Sequence, residues 1–498
     1  MPSIQEVVLP TNSFVDVETF NMIGMEVFRN YHPNIRYANT KFMNFQDTAG
    51  QRGITTTWEL PPHTRFIQGS LSIPDNGWDS VDQRPHSHTV DEQGYTCAAI
   101  DAQQRIFNDG DKYMDRVGKV SIVGIANGIE ANVVQRYLET YRFFEFDDSA
   151  LLTYTNLRAS IIQFKNYGYA MNSDIYMFIP DIYEPQFVND GLGQFAIDRN
   201  NRIANSWEIA ELTGAKVMSA SILPEHIAGV GANADDTLTL TSVSANGTTL
   251  TFSGATVDTP GYFVKGDLFE FNNGTGAGPI KYLFFNNGGN AALISSNNVQ
   301  CVVDADAESI GGSVTVTVNN TFGSSVSNGS YPLISDITNK RVNLSRPLVA
   351  GPPGPGIDTV RLIGNHRAGL ICNSQAIFLS MPRLPNEEPY FSSNIADPES
   401  GLSIRLTYGS AFGKNFKGFV WSVLWGTSIV AENAMRLIFS SFPGALPLSY
   451  LQDQLKDPSQ RRPVKSIAEM TREVQEKAKE SSNYKGDSSV AKPATKAS

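Results

Sequence analysis

The chain has 498 residues, of which 41% are hydrophobic and 18% are charged. That length predicts about two or three domains, each able to bury a core, and the composition excludes wholesale disorder. The net charge of −11 argues against a protein that binds nucleic acid over its whole surface, because such proteins are basic over a large area.

Targeting and redox signals point to a soluble protein made in a reducing cytoplasm. The start of the chain, MPSIQEVVLP, lacks the basic and apolar regions of a signal peptide, and the uncharged stretch Gly418–Ala431 is too short to cross a bilayer. Cys97, Cys301 and Cys372 are far apart and odd in number, which favours free and mostly buried thiols.

The first hundred residues contain little that could form a core. Residues 1–50 are weakly periodic with scattered aromatic side chains, a pattern typical of an arm lying across other surfaces and equally of an irregular segment. Residues 51–100 are polar and rich in proline, and the pieces ITTTWEL and RFIQGSLSIP alternate as strands do. We expect this segment either to lie on a partner surface or to form a long projecting hairpin.

Apolar residues at three- and four-residue spacing predict a helix over 109–144. As a single rod these residues would span about 54 Å. Gly118, Gly124 and Gly128 each cost about 1 kcal/mol relative to alanine in a helix. Either another backbone packs closely against them or the helix bends, and two shorter helices are the alternative to one rod.

Residues 150–230 have the pattern of a compact α/β unit. Helices are predicted at Asn156–Tyr167 and around Ile182–Asn189, and strands at Asp174–Pro180 and Thr213–Leu223.

The composition changes between about residues 233 and 355. Of the 98 residues from Asn233 to Ser330, 48 are Gly, Asn, Ser or Thr, and only Lys265 and Lys281 are basic. Short strand-like runs such as TTLTFSG and SVTVTV recur in it. We infer a β unit inserted into a host α/β domain, ending in a hairpin with Asn339 and Lys340 at its turn.

After the insert, AIFLSMPRLP is a predicted strand, and SGLSIRLTYGSAF and GFVWSVLWGTSIV are predicted to pair antiparallel across a turn at residues 413–415. The aromatic residues of GFVWSVLWG fit core packing better than a ligand platform. Residues 451–498 form a polar tail with ten Lys or Arg and seven Asp or Glu.

One cluster has the composition of a metal site: Asp82, His86, His88, Asp91 and Glu92. It lies in a polar, proline-bearing stretch without an apolar shell, so we interpret the histidines as solvated loop residues. The GTGAGP stretch lacks a following helix and is interpreted as a turn. The sequence predicts no catalytic residue, no metal site and no cofactor.

The order of these elements resembles the major capsid proteins of tailed bacteriophages, which have the Hong Kong 97-like fold. It is similar in particular to the coat proteins of short-tailed phages of the Salmonella type, which carry an inserted β-barrel. The local likenesses are VKGDLFEF, SDITNKRVNLSRPLVA and AIFLSMPRLP followed by GLSIRLTYG, and the resemblance covers most of Ile54–Phe439.

The resemblance implies an α+β capsid fold with an inserted all-β domain. The segments it implies are an N-terminal arm (1–50), an extended loop (51–100), a spine helix and peripheral domain (101–149), an axial domain in two parts (150–232 and 357–375), the inserted β-barrel (233–356), peripheral strands (376–450) and a polar tail (451–498).

The function implied is that of a non-enzymatic major capsid protein, which self-assembles in the host cytoplasm into the icosahedral head of a tailed double-stranded DNA phage. The implied partners are further copies in hexamers and pentamers, a scaffolding protein, a portal, decoration proteins and the packaged DNA through non-specific contact, with no membrane. The alternatives are a β-rich phage adhesin or glycan-binding structural protein, and a hydrolase with an accessory β-domain.

Two departures from the family pattern sharpen this expectation. No lysine occurs between Lys41 and Lys112, so a covalent cross-link through a loop lysine has no nucleophile. Only about 50 residues precede the loop, which implies a separate scaffolding protein. We therefore expect non-covalent contacts to lock the subunits, with Arg52, Arg65 and Arg84 pairing with acidic residues of a neighbour and Trp78 as a further contact.

Overall fold

The computed structural model describes residues 25, 28, 31–40, 53–60, 84–101, 110–146, 154–166, 174–183, 208–233, 236–244, 247–272, 280–284, 293–319, 330–331, 342–344, 348–353, 357–385, 391–396, 401–410 and 416–440. The chain divides into two compact units, Met1–Ala445 and Leu446–Ser498, and all described residues belong to the first. Helices and strands are mixed in this unit and strands are more numerous, in agreement with the predicted α+β class.

The described α-helices are α1 (Pro33–Tyr37), α2 (Gly110–Gln135) and α3 (Tyr154–Asn166). Short 3-10 turns lie at Arg136–Glu139, Asp181–Tyr183, Val230–Asn233 and Ala431–Asn433.

The described strands are β1 (Ile54–Leu60), β2 (Arg84–Val90), β3 (Glu92–Asp101), β4 (Phe143–Glu145), β5 (Ile175–Pro180), β6 (Glu208–Leu212), β7 (Ala215–Ala220), β8 (Glu225–His226), β9 (Leu238–Val243), β10 (Thr249–Ser253), β11 (Leu268–Asn272), β12 (Lys281–Phe284), β13 (Leu293–Asn298), β14 (Gln300–Val302), β15 (Ser309–Ile310), β16 (Ser313–Thr317), β17 (Ser330–Tyr331), β18 (Val342–Leu344), β19 (Leu348–Val349), β20 (Thr359–Leu362), β21 (His366–Asn373), β22 (Ile377–Ser380), β23 (Phe391–Ala396), β24 (Ser403–Ser410), β25 (Phe416–Ile429) and β26 (Ala434–Ser440).

A mixed sheet of order β4-β26-β21-β5-β7-β6, with β8 beside β21, forms the centre of the unit. All six residues of β5 are buried because both faces of this sheet are covered. Met177 faces a core that includes residues of α3, and the next residue, Phe178, faces a second core that includes residues of α2. The alternation of side chains along a strand thus divides the interior into two layers.

The long predicted helix is present but ends earlier than the sequence indicates. Helix α2 stops at Gln135, so its 26 residues span about 39 Å. A 3-10 turn follows, and Thr140 is already extended, with its side-chain hydroxyl donating to the carbonyl of Tyr137 at 2.6 Å. The buried apolar residues in the described part of α2 and this turn lie on one side of the helix: Ile122, Ile125, Ala126, Ile129, Val133, Val134 and Tyr137.

A second sheet has the order β22-β25-β24-β23, with β3 also paired with β25. Strands β24 and β25 are antiparallel, as predicted, and the predicted turn at residues 413–415 lies outside the described residues. Trp421 and Trp425 are buried in the core, which confirms their predicted packing role.

Strands β1 and β2 form an antiparallel hairpin that belongs to neither large sheet. The pairing runs without interruption from Ile54 opposite Val90 to Leu60 opposite Arg84. Beyond Val90 the chain continues almost directly into β3, so the hairpin base lies where the second sheet begins.

A third, antiparallel sheet of order β14-β11-β20-β9-β10-β16-β15 contains most strands of the Asn- and Ser-rich region. A bridge between Val303 and Val318 joins the ends of β14 and β16, so the sheet closes on itself. Its interior is apolar because β10 and β16 alternate strictly between buried and less buried residues. Strand β20, which the predicted division assigns to the axial domain, pairs with β9 and β11 of this sheet.

Most of the elements predicted in residues 150–230 agree with the structure. The helix predicted at Asn156–Tyr167 is α3, and the strands predicted at Asp174–Pro180 and Thr213–Leu223 contain β5 and β7. Of the helix predicted around Ile182–Asn189, the described part is a 3-10 turn.

Several predicted features cannot be compared with the structure. The GTGAGP turn and the Asn339-Lys340 turn lie outside the described residues, although β17 and β19 pair on either side of the second turn. The predicted domain boundaries stay predictions.

Close packing at Gly426 yields the first testable prediction. A Cβ atom there would overlap the carbonyl oxygen of Thr89 and lie 2.9 Å from the Cα atom of Val90, so Gly426→Ala must push the hairpin away from β25. At Gly124 a Cβ atom meets only the Thr96 methyl at 3.7 Å. We expect Gly426→Ala to lower the melting temperature by several degrees, and Gly124→Ala to raise stability by up to about 1 kcal/mol through helix propensity. Calorimetry on both variants measures this, and equal stability of Gly426→Ala and wild type would contradict it.

Candidate functional site at the base of the hairpin

The predicted contact residues are spread along the hairpin segment. Arg52, Arg65 and Trp78 lie outside the described residues. Arg84 begins β2, with its backbone opposite Leu60. The structure therefore brings none of the four into a described side-chain contact, and their role stays a prediction.

His86 and His88 are not solvated loop residues, which corrects the interpretation drawn from the sequence. Both lie on β2, and His88 is fully buried. Its Nδ1 atom is 2.8 Å from the hydroxyl oxygen of Ser428, and its Nε2 atom is 2.6 Å from that of Ser380. His88 thus joins the hairpin to β25 and β22 at once.

An aromatic contact covers the same junction. The ring of Trp58 on β1 lies 4.8 Å from the ring of His86 and 4.7 Å from that of Phe378. His86 also places its Nε2 atom 3.3 Å from the Ser428 hydroxyl. Sequence reasoning missed the surroundings of these histidines because distant segments supply them. Phe378 lies on β22 and Ser428 on β25, and both residues are almost 300 residues or more from His86 along the chain.

Burial controls the protonation of both histidines. It lowers the pKa of His88 to about 4, with the charges of His86 and Arg136 acting in the same direction. Burial also lowers the pKa of His86, and the carboxylates of Glu432 and Glu139 oppose that shift. At neutral pH both rings are therefore uncharged.

The Ser380–His88 contact has the spacing of a nucleophile and its base, but its burial favours a structural role. Ser380 and His88 are 1% and 0% exposed, so a substrate has no access to the hydroxyl. No group of three metal-ligating side chains is found in the described part of the chain. Hydrogen bonding across the junction is the chemistry that this site can perform.

A second buried cluster links the central sheet to the end of α2. Arg436 on β26 is fully buried, and burial lowers its pKa to about 9 while the Asp267 carboxylate acts in the opposite direction. Its guanidinium donates five hydrogen bonds of 2.5–3.4 Å. The acceptors are the carbonyl oxygens of Tyr137, Leu138, Thr140 and Gly266 and the Nε2 atom of His366.

Asp267 extends this cluster into the closed sheet. Its carboxylate accepts a 2.6 Å hydrogen bond from Nε2 of His226 and backbone hydrogen bonds from Gly229 and Val264. His226 and Asp267 are almost completely buried. The connection between β8 and the closed sheet is therefore held by a fully bonded polar core.

Two further contacts tie the closed sheet to β4. The Gln300 side chain bonds both the amide and the carbonyl of Phe143, at 2.8 and 2.9 Å. Arg361 pairs with Glu145 at 2.7 Å and with Glu270 at 2.8 Å. The closed sheet is thus oriented relative to the central sheet by side chains from several strands.

The described part of the N-terminal segment is anchored to α2. The amide nitrogen of Asn34 donates to the carboxyl of Glu130 at 2.6 Å, Tyr137 donates to Asn34, and His32 bonds Asn127 at 2.6 Å. Burial raises the pKa of Glu130 to about 8, so this carboxyl is largely protonated at neutral pH.

Comparison with known proteins gives similarity at the level of structure only. No protein-family model matches the sequence, and no curated protein matches it. The structure is similar to the capsid of Ralstonia phage GP4 (8% identity, TM-score 0.35, covering 80% of this chain and 87% of that one). It is also similar to the capsid of the cyanophage P-SCSP1u (10% identity, TM-score 0.34, 81% and 89%) and to a virus-like particle from Pyrococcus furiosus (6% identity, TM-score 0.33, 84% and 98%).

None of the described helices is long and apolar enough to cross a membrane.

The Arg436 cluster yields a second prediction. Replacing Arg436 with methionine removes the donor from the carbonyl groups of Leu138, Thr140 and Gly266 and a nearby cation from Asp267, so we expect a loss of about 3–5 kcal/mol. Arg361→Met is the matched control, because that side chain is 42% exposed and its ion pairs contribute about 1 kcal/mol or less. Urea unfolding of both variants measures the difference. Equal losses in the two variants would contradict the importance assigned to Arg436.

Proposed function

We propose that this protein is the major capsid protein of a tailed double-stranded DNA phage, with the Hong Kong 97-like fold. The observation that carries the proposal is the hairpin of β1 and β2, which pairs with none of the larger sheets and lies beside β25 and beside Arg136, just after α2. An extended loop rooted beside a spine helix and a peripheral sheet is the arrangement that the family uses to reach a neighbouring subunit.

The remaining elements also match parts of the proposed capsid fold. Helix α2 is the spine, the sheet containing β25 is the peripheral sheet, and the central sheet is the axial domain. The closed sheet of β9, β10, β11, β14, β15, β16 and β20 is the inserted β-barrel domain. Its described loops carry exposed acidic residues such as Asp258, Asp304 and Glu308, which fits a position facing away from packaged DNA.

In this proposal the work of the protein is assembly and not catalysis. Copies associate as hexamers and pentamers through extensive interfaces, in the host cytoplasm and with a scaffolding protein and a portal, and the product is the virion shell. The deep burial of the Ser380–His88 contact supports a structural role for the residues most similar to a catalytic pair.

Electron microscopy of the protein co-expressed with its scaffolding protein tests the proposal. We expect closed shells tens of nanometres across, because identical subunits with complementary contacts form closed symmetric assemblies. A monodisperse monomer would contradict the proposal, and a slender trimer would favour the adhesin alternative.

The predicted loop contacts are tested on the same shells. We propose that Arg65 and Arg84 pair with acidic residues of a neighbouring subunit, so Arg65→Ala and Arg84→Ala shells should dissociate at lower temperature than wild-type shells. Arg158→Ala is the control, because Arg158 is exposed on α3, outside the hairpin. Light scattering during heating measures dissociation. If both loop variants resist heat as well as wild-type shells do, these arginines do not stabilise the interface.

A further inference from the structure

The second sheet has two edge strands, β3 and β23. Strand β25 pairs with β24 on one side and with β3 on the other, and β24 pairs in turn with β23. No other strand in the described part of the chain pairs with β3 or with β23. Every second residue of an edge strand points its backbone N–H and C=O groups away from the sheet, so both edges present hydrogen-bonding groups to a further strand.

Both edge strands lack the features that usually prevent edge-to-edge pairing. Natural edge strands are short, carry charges or proline, or contain a bulge. Strand β3 has ten residues, pairs with β25 without a register shift, and is uncharged from Gln93 to Ile100. Its outer face is exposed at Gln93, Tyr95 and Cys97, with Tyr95 at 59%. Strand β23, FSSNIA, contains neither a charged residue nor proline.

The other two large sheets protect their edges. In the central sheet the edge strand β6 carries Glu208 and Glu211 and contains a register shift, and the opposite edge strand β4 has only three residues, including Glu145. The closed sheet joins its own ends. Long uncharged edges are therefore a property of the second sheet, and such edges are where another chain can add a strand.

The directions of the strands favour a second copy of this chain as the partner. The four strands β3, β25, β24 and β23 alternate in direction across the sheet. When a second copy follows head-to-tail, with the same face of its sheet on the same side, its β3 runs antiparallel to β23 of the first copy. The antiparallel pairing within one copy thus continues between copies.

Charge disfavours the symmetric alternative, in which the β3 strands of two copies pair across a two-fold axis. Strand β3 begins at Glu92 and ends at Asp101. In a symmetric antiparallel pair the start of each strand lies beside the end of the other, so carboxylates of the two copies would be brought together, and like charges at such positions are destabilising. Strand β23 has no charged residue to repel β3, whereas a pair of two β23 strands would leave β3 uncovered.

We propose that the second sheet is extended between copies: β23 of one subunit pairs antiparallel with β3 of the next, and the contact repeats head-to-tail. Such a contact uses two different surfaces of each copy, so it produces rings or chains of more than two subunits and does not stop at a dimer. This inference rests on the proposed capsid function and specifies one contact between neighbouring subunits.

Disulfide trapping in assembled shells tests the contact, with Cys97 as the reporter. The register places Ser392, Thr407, Val420 and Cys97 in one row across the sheet, and the residues of one row share a face. Within one copy three strand spacings, about 14 Å, separate Ser392 from Cys97, which is too far for a disulfide. A disulfide between these positions therefore joins two copies.

Two cysteine variants cover the possible registers. Ser392 and Asn394 lie two residues apart on β23 and share the face of Cys97. If all of β23 pairs with β3, one of these two positions lies opposite Cys97 of the next copy. We expect oxidised shells of Ser392→Cys or of Asn394→Cys to give a ladder of dimers, trimers and larger species on a non-reducing denaturing gel. Adding Cys97→Ser should abolish the ladder.

Ser393→Cys is the matched control, because Ser393 lies in the neighbouring row and therefore on the opposite face. Its shells should give monomers on the same gel. The head-to-tail contact would be overturned by shells of both same-face variants that give no ladder, by an equally strong ladder from Ser393→Cys, or by Cys97-linked dimers in wild-type shells.

Hydrogen exchange of the wild-type chain provides a second test that needs no substitution. When free subunits assemble into shells, the β3 amides that point away from β25 should gain protection by at least about tenfold, while those of the fully buried β5 keep theirs. Unchanged exchange at β3 in shells would overturn this contact and leave the capsid proposal standing. A chain that stays a monodisperse monomer would contradict both.

Discussion

The buried guanidinium of Arg436 is the interaction on which the architecture depends. It bonds the carbonyl groups of Tyr137, Leu138 and Thr140 just after α2, contacts His366 on β21, and reaches the closed sheet at Gly266. A helix end buried without such partners would be unfavourable, because its last carbonyl groups have no donors within the helix. One side chain therefore links the backbone that follows the long helix, the central sheet and the closed sheet.

The two buried polar clusters differ in a way that matters for function. The Arg436 cluster joins a guanidinium that is charged at neutral pH to carbonyl groups and, through the loop at Gly266, to the Asp267 carboxylate. The His88 cluster uses a neutral ring between two hydroxyl groups and joins the hairpin to β22 and β25.

Local patterns were reliable where neighbouring residues determine the outcome. The three- and four-residue spacing correctly predicted α2 and α3, the strands predicted at Asp174–Pro180 and Thr213–Leu223 contain β5 and β7, and β24 and β25 pair antiparallel as predicted. The predicted end of α2 was wrong by nine residues, and the carbonyl groups that follow the helix bond to Arg436 on β26, about 300 residues along the chain. The helix propensity of the residues near 140 gives no information about a contact with the distant Arg436.

The candidate site shows the same division. The sequence alone determined that residues 51–100 lack a core of their own, because their polar and proline-rich composition cannot bury enough apolar area. Such a segment must either lie on a partner surface or form a projecting hairpin. It also singled out His86 and His88, but as solvated residues. Only the tertiary structure decided that they are buried, since Ser380 and Ser428 come from strands 292 and 340 residues away from His88. Burial is set by contacts between distant segments, and local composition does not encode them.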